Sequence, residues 1–259
     1  MSNKNSVVGT VTVAGILCIV CSIAVSVAAV ALKPKQELNK ELDKKKNILL
    51  AAGLYNEGDD INEVFQSQVK PKLIEIATGK ESDRFDPRAY DASKALKDPE
   101  LRVEIPSDLD IGKIRKRPKY AVIYEAQKNG QLDQVILPVY GKGLWSTLYG
   151  FLAIKADGIT VSGLGFYDHA ETPGLGGEVD NPKWKSQWSG KKIYDDEWNL
   201  EIEVLKGKVN KERPESVHQI DGLSGATITT RGVSHLVQYW LGDHAFGLYL
   251  ESLRPHGGA

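Results

Sequence analysis

The feature that most constrains this chain is an uncharged apolar stretch near its N-terminus, VVGTVTVAGILCIVCSIAVSVAAVAL at residues 7–32. As an α-helix this stretch would measure about 39 Å, because each residue adds ~1.5 Å along the axis. The hydrocarbon core of a bilayer is ~30 Å thick, so the stretch could cross it once with some tilt. We therefore predict a transmembrane helix. A cleaved signal sequence is the alternative, although its apolar segment is usually only about 7–15 residues long.

The lysines around the predicted span bear on its orientation. Lys4 precedes the span, and six lysines follow it closely: Lys33, Lys35, Lys40, Lys44, Lys45 and Lys46. Counting lysine and arginine would place the large C-terminal part in the cytoplasm. Long domains, however, cross membranes largely regardless of their charge. The charges alone therefore leave the orientation open.

The charge balance and the cysteines narrow the possible functions. The chain has 33 basic and 34 acidic residues and no basic stripe with interleaved aromatic residues, which gives no case for nucleic acid binding.

Cys18 and Cys21 both lie in the predicted span, at a spacing that puts them on one helix face. Without a second cysteine pair they fit a helix–helix contact better than a redox or zinc site. Thiolate ligation shared with another membrane subunit is the alternative.

The first part of the chain after the span has helical patterns. Apolar residues at helical spacing predict that residues 33–53 continue the helix out of the membrane, with Gly53 as its end. A second helix is predicted over residues 59–78, interrupted by Pro71. Residues 79–118 are charged and rich in proline, which indicates connecting structure.

From residue 119 the pattern changes to alternating strands. Two hairpins are predicted, one joining residues 120–126 to 134–140 and one joining 148–155 to 158–168. Pro138 predicts an edge strand or a bulge, because proline has no N–H for the ladder. A further strand at 200–205 and an amphipathic helix at 228–241 complete an α+β fold, an antiparallel sheet with packing helices behind one transmembrane helix. We expect three parts: an anchor at 1–32, a helical and looped region at 33–118, and a ligand-binding domain at 119–259.

Three glycine-rich segments could carry chemistry: GKGLWST at 141–147, HAETPGLGG at 169–177 and DGLSGATITTRG at 221–232. His169 and Glu171 could share a face as metal ligands, but no third or fourth ligand is signalled nearby. Trp145 could be a core aromatic residue or an apolar wall beside a flat ligand. Taken singly, the second segment favours an ordinary hairpin loop, and Trp145 of the first segment is expected to be a core aromatic residue.

The third segment delivers several hydroxyls to the start of the last helix. It matches neither a Walker loop nor a nucleophile elbow. One interpretation is capping, in which Thr227, Thr229 or Thr230 accepts an amide hydrogen bond. The other is phosphate binding, because a helix N-terminus presents free amides and the positive end of the helix dipole. The residues alone favour capping.

DGLSGAT at residues 221–227 also matches a known pattern, the flavinylation motif Asp-Gly-x-(Ser/Thr)-Gly-Ala-Thr. HAETPGLGG and GKGLW resemble the other two ligand loops of the same family, and they occur in the same order. With the single N-terminal span, the chain resembles the FMN-binding domain family over essentially its whole length.

The resemblance implies a covalent cofactor and a set of residues around it. In that family the last threonine of the motif carries FMN through a phosphoester, which here is Thr227. Residues 169–177 would contact the ring or ribityl groups, and Leu144 and Trp145 would form an apolar flank. The cofactor-binding candidates are Asp221, Ser224, Gly225, Ala226, Leu144, Trp145, His169, Glu171, Thr172, Gly174, Leu175 and Gly176. We assign no catalytic residue and no metal ligand.

The resemblance further implies an electron-carrying subunit of a membrane-bound, sodium-pumping NADH:quinone oxidoreductase. No G-x-G-x-x-G fingerprint is present, so NADH and quinone would be handled by partner subunits. The G subunit of the Rnf electron-transport complex, which shares the motif and topology, is an alternative. A membrane-anchored sensor domain that binds a free ligand is an alternative of another class.

Maturation and location are implied in the same way. A separate flavin transferase, using FAD and Mg²⁺, would recognise residues 221–227. Because that enzyme works outside the cytoplasm in Gram-negative bacteria, we expect a single-pass protein of the inner membrane. Its residues from about 33 onward would lie in the periplasm, against the lysine count.

Overall fold

The computed structural model describes residues 7–254, so Lys4 of the orientation argument lies outside the described residues. The chain divides into two units, one ending at Asp43 and the other beginning at Lys44. Helix α1 spans Val7–Ala51. Its N-terminal part is long and apolar enough to cross a membrane, and none of that window is buried within the protein.

The end of α1 has the hydrogen bonds of a Schellman cap. Gly53 has a left-handed φ of 65°. Its N–H donates to the carbonyl of Leu50 at 3.1 Å, and the N–H of Leu54 donates to the carbonyl of Leu49 at 2.8 Å. The predicted continuation of the first helix and its stop at Gly53 are therefore confirmed.

A six-stranded antiparallel sheet forms the centre of the second unit. Its strands are β1 (Val69–Glu75), β2 (Lys80–Glu81), β5 (Tyr120–Lys128), β6 (Gln131–Lys142), β7 (Thr147–Lys155) and β8 (Val161–Asp168). Their order is β2-β1-β5-β6-β7-β8. Both predicted hairpins are present, and the sheet draws strands from both sides of residue 118.

Shorter elements surround the sheet. The helices are α2 (Ile61–Gln68), α3 (Ala92–Ala95), α4 (Pro182–Lys185), α5 (Thr227–Leu241) and α6 (Gly247–Ser252). β3 (Arg102–Glu104) pairs with β4 (Lys116–Pro118), and β9 (Glu203–Val204) pairs in parallel with β10 (Gln219–Ile220). The strand predicted at 200–205 is therefore shorter than expected.

The prediction of one helix over residues 59–78 is wrong in its second half. The helix ends at Gln68, and the chain continues directly as β1. β1 pairs with β5 along its whole length, from Val69 opposite Ala126 to Glu75 opposite Tyr120. This pairing outweighs the helical spacing of the apolar residues, which Pro71 would in any case have broken.

Pro138 lies in the interior of the sheet, since β6 has β5 on one side and β7 on the other. The prediction of an edge strand is therefore wrong for β6 as a whole. Its pairing with β5, however, ends at Ile136, and beyond that point Pro138 pairs only with Phe151 of β7. The sheet has a local edge at the residue that lacks an N–H.

The two faces of the sheet have separate cores. On one face Val135, Leu137 and Leu152 pack with buried residues of α5, which include Val233, Leu236, Val237, Trp240 and Leu241. On the other face Ile136 and Phe151 pack with Ile48 and Leu49 from the end of α1. The alternation along β6 fits a strand covered on both faces. It fixes α5 against the sheet and thereby places the start of α5 beside the loops.

Candidate functional site

The carboxylate of Glu171 lies where the three glycine-rich segments meet. It is only 5% exposed. It accepts four hydrogen bonds, from the N–H groups of Leu144 (3.2 Å), Trp145 (2.9 Å) and Ser146 (3.2 Å) and from the hydroxyl of Thr229 (2.6 Å). One side chain of the second segment therefore joins the first segment to the start of α5.

These hydrogen bonds decide the charge of Glu171. Burial raises its pKa, but the hydrogen bonds from Thr229 and from the backbone amides lower it more. The net effect holds the pKa below its usual value of 4.5. The carboxylate is therefore ionised at neutral pH.

Two glycines of the site are required by this carboxylate. A Cβ on Gly143 would lie 2.6 Å from Oε1 of Glu171. A Cβ on Gly176 would lie 2.5 Å from the hydroxyl of Thr229 and 2.8 Å from Oε2 of Glu171. The sequence suggested that glycines free the backbone to approach a ligand. At Gly143 and Gly176, however, the groups that approach closely are the side chains of Glu171 and Thr229 rather than a ligand.

Other polar groups of residues 169–177 bond close to their own segment, apart from the N–H of Ala170, which donates to the hydroxyl of Ser146 at 2.8 Å. His169 Nδ1 accepts the N–H of Glu171 at 3.2 Å, so Nε2 carries a proton and donates to Asp180 at 2.8 Å. The carbonyl of Thr172 accepts the N–H groups of Leu175 at 3.1 Å and Gly177 at 2.9 Å. Gly174 completes this turn with a left-handed φ of 76°. The loop is thus built around Glu171.

Helix α5 begins at Thr227 without a side-chain cap. Ala226 occupies the N-cap position and has no hydroxyl to bond the amides of the first turn. Those amides can therefore receive an anion or water.

The hydroxyls near this helix start have different partners. Thr230 accepts the N–H of Leu223 at 3.0 Å, but Leu223 precedes the helix. No described side chain caps the first turn of α5, so the capping interpretation is wrong. The hydroxyl of Thr229 donates to the carboxylate of Glu171. The hydroxyl of Thr227 has no hydrogen bond to any residue within 7–254, and Thr227 is half-buried at the surface.

Asp221 contacts the framework rather than the other candidates. Its Oδ1 accepts the N–H of Val209 at 2.8 Å, and its carbonyl accepts Nε1 of Trp184 at 2.7 Å. Its own N–H donates to Oε1 of Gln187 at 3.1 Å. The sequence offered no signal for these three partners, since they are distant along the chain and follow no motif.

Four large apolar side chains are exposed on the same three segments. They are Trp145 (64% exposed), Ile228 (59%), Leu175 (44%) and Leu144 (42%). Leu175 reaches the motif, since its Cδ2 would lie 3.1 Å from a Cβ on Gly225. Exposed apolar groups around a polar centre are typical of a ligand site.

The structure brings most of the sequence candidates together. The amides of Leu144 and Trp145 donate to Glu171. Gly176 lies against Thr229, and Gly225 lies against Leu175. Ser224 is exposed beside Gly225, whereas Asp221 contacts residues 184–209. Sequence reasoning missed Thr229 as the partner of Glu171 and Ile228 as part of the apolar rim, although both directly follow the motif.

Comparison with known protein families gives one match within the chain. The model of the FMN-binding domain matches residues 143–242. This range contains all three glycine-rich segments except the first two residues of the first, as well as the whole of α5.

Comparisons over the whole chain give close relatives. The C subunit of the Na(+)-translocating NADH-quinone reductase from Pseudomonas aeruginosa is 48% identical, with 98% of each chain covered. A protein of the same name from Vibrio anguillarum is 44% identical over 99% of this chain and 98% of its own. The crystal structure of Shewanella oneidensis NqrC matches with a TM-score of 0.76 and 34% identity, covering 83% of this chain and 99% of that one.

Proposed function

Because the chain belongs to the family of the C subunit of Na(+)-translocating NADH-quinone reductase, we propose that it carries electrons through an FMN attached covalently to Thr227. The flavin supplies the electron-transfer chemistry, while the protein binds, orients and shields it. The relatives' names favour this complex over the Rnf complex.

One observation carries the choice of Thr227: it presents a hydroxyl at the helix start that no described residue engages. Thr229 and Thr230 each have a hydrogen-bond partner. Ser224 is the exposed competitor, three residues before the helix. A phosphate on Thr227 would face the uncapped amides of the first turn of α5, where negative charge is favoured.

The rest of the site suits a flat ring. Leu144, Trp145, Leu175 and Ile228 offer apolar surface to an isoalloxazine, which stacks well against such groups. Glu171 fixes the conformation of the two loops that carry three of these side chains. We propose that His169, Thr172, Gly174 and Gly176 shape the loop that borders the ring.

Attachment requires an outside catalyst, because a threonine hydroxyl is a weak nucleophile and we assign no general base in this chain. The Thr227 oxygen would form a bond to the FMN phosphorus of FAD, while the bond from that phosphorus to the AMP part breaks. AMP and the hydroxyl proton then leave. We propose that a Mg²⁺-dependent flavin transferase performs this step and reads residues 221–227. The framework contacts of Asp221 hold that segment in place.

We propose three parts that share these tasks. Residues 1–32 anchor the chain in the inner membrane, beside the other subunits of the complex. Residues 33–118 link the anchor to the FMN-binding domain and add β1 and β2 to its sheet. Residues 119–259 hold the flavin, on the periplasmic side.

The test is to compare Thr227→Ala with Ser224→Ala, each as the full chain co-expressed with a flavin transferase. After denaturing electrophoresis we expect flavin fluorescence from the Ser224→Ala band and none from Thr227→Ala. Fluorescence that persists in Thr227→Ala would refute the attachment site. Flavin that is lost from every variant on denaturation would instead favour a domain that binds its ligand reversibly.

A further inference from the structure

A groove of about 220 Å³ runs along α5 beside Thr227. Thr227, Arg231 and His235 line it from the helix at intervals of four residues, so they share one face over successive turns. Its other wall consists of β9, with Glu203, and of Lys206 just after the strand. Thr227 therefore shares a groove with two positively charged residues, Arg231 and Lys206.

Two hydrogen bonds fix the distance between these walls. The hydroxyl of Ser234 accepts the N–H of Val204 at 3.0 Å. One turn further along α5, Nε2 of Gln238 donates to the carbonyl of Ile202 at 3.0 Å. The groove is thus a fixed part of the fold.

The flavinylation motif itself positions Lys206. The N–H of Gly222 donates to the carbonyl of Gly207 at 2.8 Å. A Cβ on Gly222 would lie 2.9 Å from the carbonyl carbon and oxygen of Lys206, and closer still to the carbonyl oxygen of Leu205. The segment that carries Lys206 therefore lies directly against the motif that carries Thr227.

The charges of the groove favour an anion. Lys206 and Arg231 are exposed cations. Glu203 is the only carboxylate among the lining residues, and its Oε1 accepts a hydrogen bond from Gln219 at 2.8 Å. Burial and then Arg231 lower the pKa of His235 below its usual 6.5, so His235 is neutral at pH 7. The lining of the groove thus carries two positive charges and one negative charge.

We propose that Lys206 and Arg231 clamp the phosphate that joins the flavin to Thr227. Arg231 can bind two phosphate oxygens at once, and Lys206 adds a point charge from the opposite wall. The clamp would hold the phosphate of the incoming flavin nucleotide during attachment and the phosphodiester afterwards. This inference rests on the proposed function, because it requires the phosphate to be on Thr227.

The test measures the rate of flavin attachment to the full-length protein by a purified flavin transferase with FAD and Mg²⁺, followed by intact mass. Arg231→Ala and Lys206→Ala should each slow attachment about tenfold, since each removes one charge-assisted contact. Arg231→Lys should lose less than Arg231→Ala. Lys208→Ala, which removes an exposed lysine two residues beyond Lys206, is the matched control and should react at the normal rate.

A second readout examines the attached phosphate directly. In the flavinylated protein, ³¹P NMR should show a different phosphate shift in Arg231→Ala than in the unchanged chain or in Lys208→Ala. Normal attachment rates and an unchanged ³¹P shift in both the Arg231 and Lys206 variants would overturn the clamp. Covalent flavin on Thr227→Ala would overturn the proposed function itself, so the two failures are distinguishable.

Discussion

Glu171 shows how a single buried side chain can hold three segments of a candidate site together. It is a buried, ionised carboxylate, and all four of its hydrogen-bond donors are neutral. Three of them are successive backbone amides, which together form an anion-binding concavity. The conformation of residues 144–146 therefore depends on the charge of Glu171.

We expect Glu171→Gln to lower the free energy of unfolding at pH 7 by about 1–3 kcal/mol, because the new NH₂ group faces a donor instead of accepting from it. The folded-state pKa of Glu171 is depressed, so its stabilisation is fully present above the usual value of 4.5 and is lost as the pH falls through the depressed value. Denaturant titrations between pH 7 and pH 3 should show the difference shrinking in acid.

The exposed Glu251→Gln serves as the control for this titration and should behave like the unchanged chain throughout. A stability loss in Glu171→Gln that stays constant down to pH 3 would mean that the charge of Glu171 does not stabilise the loops.

At the scale of elements, the contact between the motif and the segment after β9 holds the site together. Gly222→Ala would force a Cβ into the backbone of Leu205 and Lys206. We expect a loss of about 1–3 kcal/mol in unfolding free energy, as for other overpacked positions. Chemical denaturation of the full chain measures it.

Gly165→Ala is the matched control, because a Cβ on this glycine of β8 meets nothing within 4 Å. We expect it to leave stability within about 1 kcal/mol of the original. Equal stabilities of the two variants would show that the close approach at Gly222 is relieved without cost.

The elements that the sequence predicted are those with strong local patterns. β5 to β8 alternate or run apolar between clear turns, and Asn129 and Gly130 take the positive φ angles of a tight hairpin turn, 53° and 79°. β1 was missed because its apolar residues also fit a helix. Its strand form depends on β5, which lies far along the chain.

The candidate site likewise has parts that local motifs predict and parts that depend on residues far apart in the chain. The motif pointed to Thr227, and the glycine-rich segments pointed to the loops around it. The role of Glu171 could not be predicted, since its partner Thr229 lies 58 residues away and only the packing of α5 on the sheet brings them together. Lys206 was missed for the same reason.

At the scale of the whole molecule, the apolar helix and the candidate flavin site lie in different parts of the chain. The open question at this scale is on which side of the membrane the residues after the helix lie. Residues 33–259 contain no cysteine, so a single introduced thiol can report their location. We expect exposed Lys128→Cys, at the end of β5, to react with a membrane-impermeant thiol reagent in Gram-negative cells with a permeabilised outer membrane.

Labelling of Lys128→Cys only after the inner membrane is broken would place the domain in the cytoplasm, as the lysine count favours. The unchanged chain, whose two cysteines lie in the apolar helix, gives the background.

The most direct test of the central claim is tandem mass spectrometry of the tryptic peptide that ends at Arg231, taken from the full chain matured with a flavin transferase. We predict one added FMN mass, with fragment ions that place it on Thr227. The same mass on Ser224 or Thr229, or an unmodified peptide from protein that is yellow before denaturation, would contradict covalent attachment at Thr227.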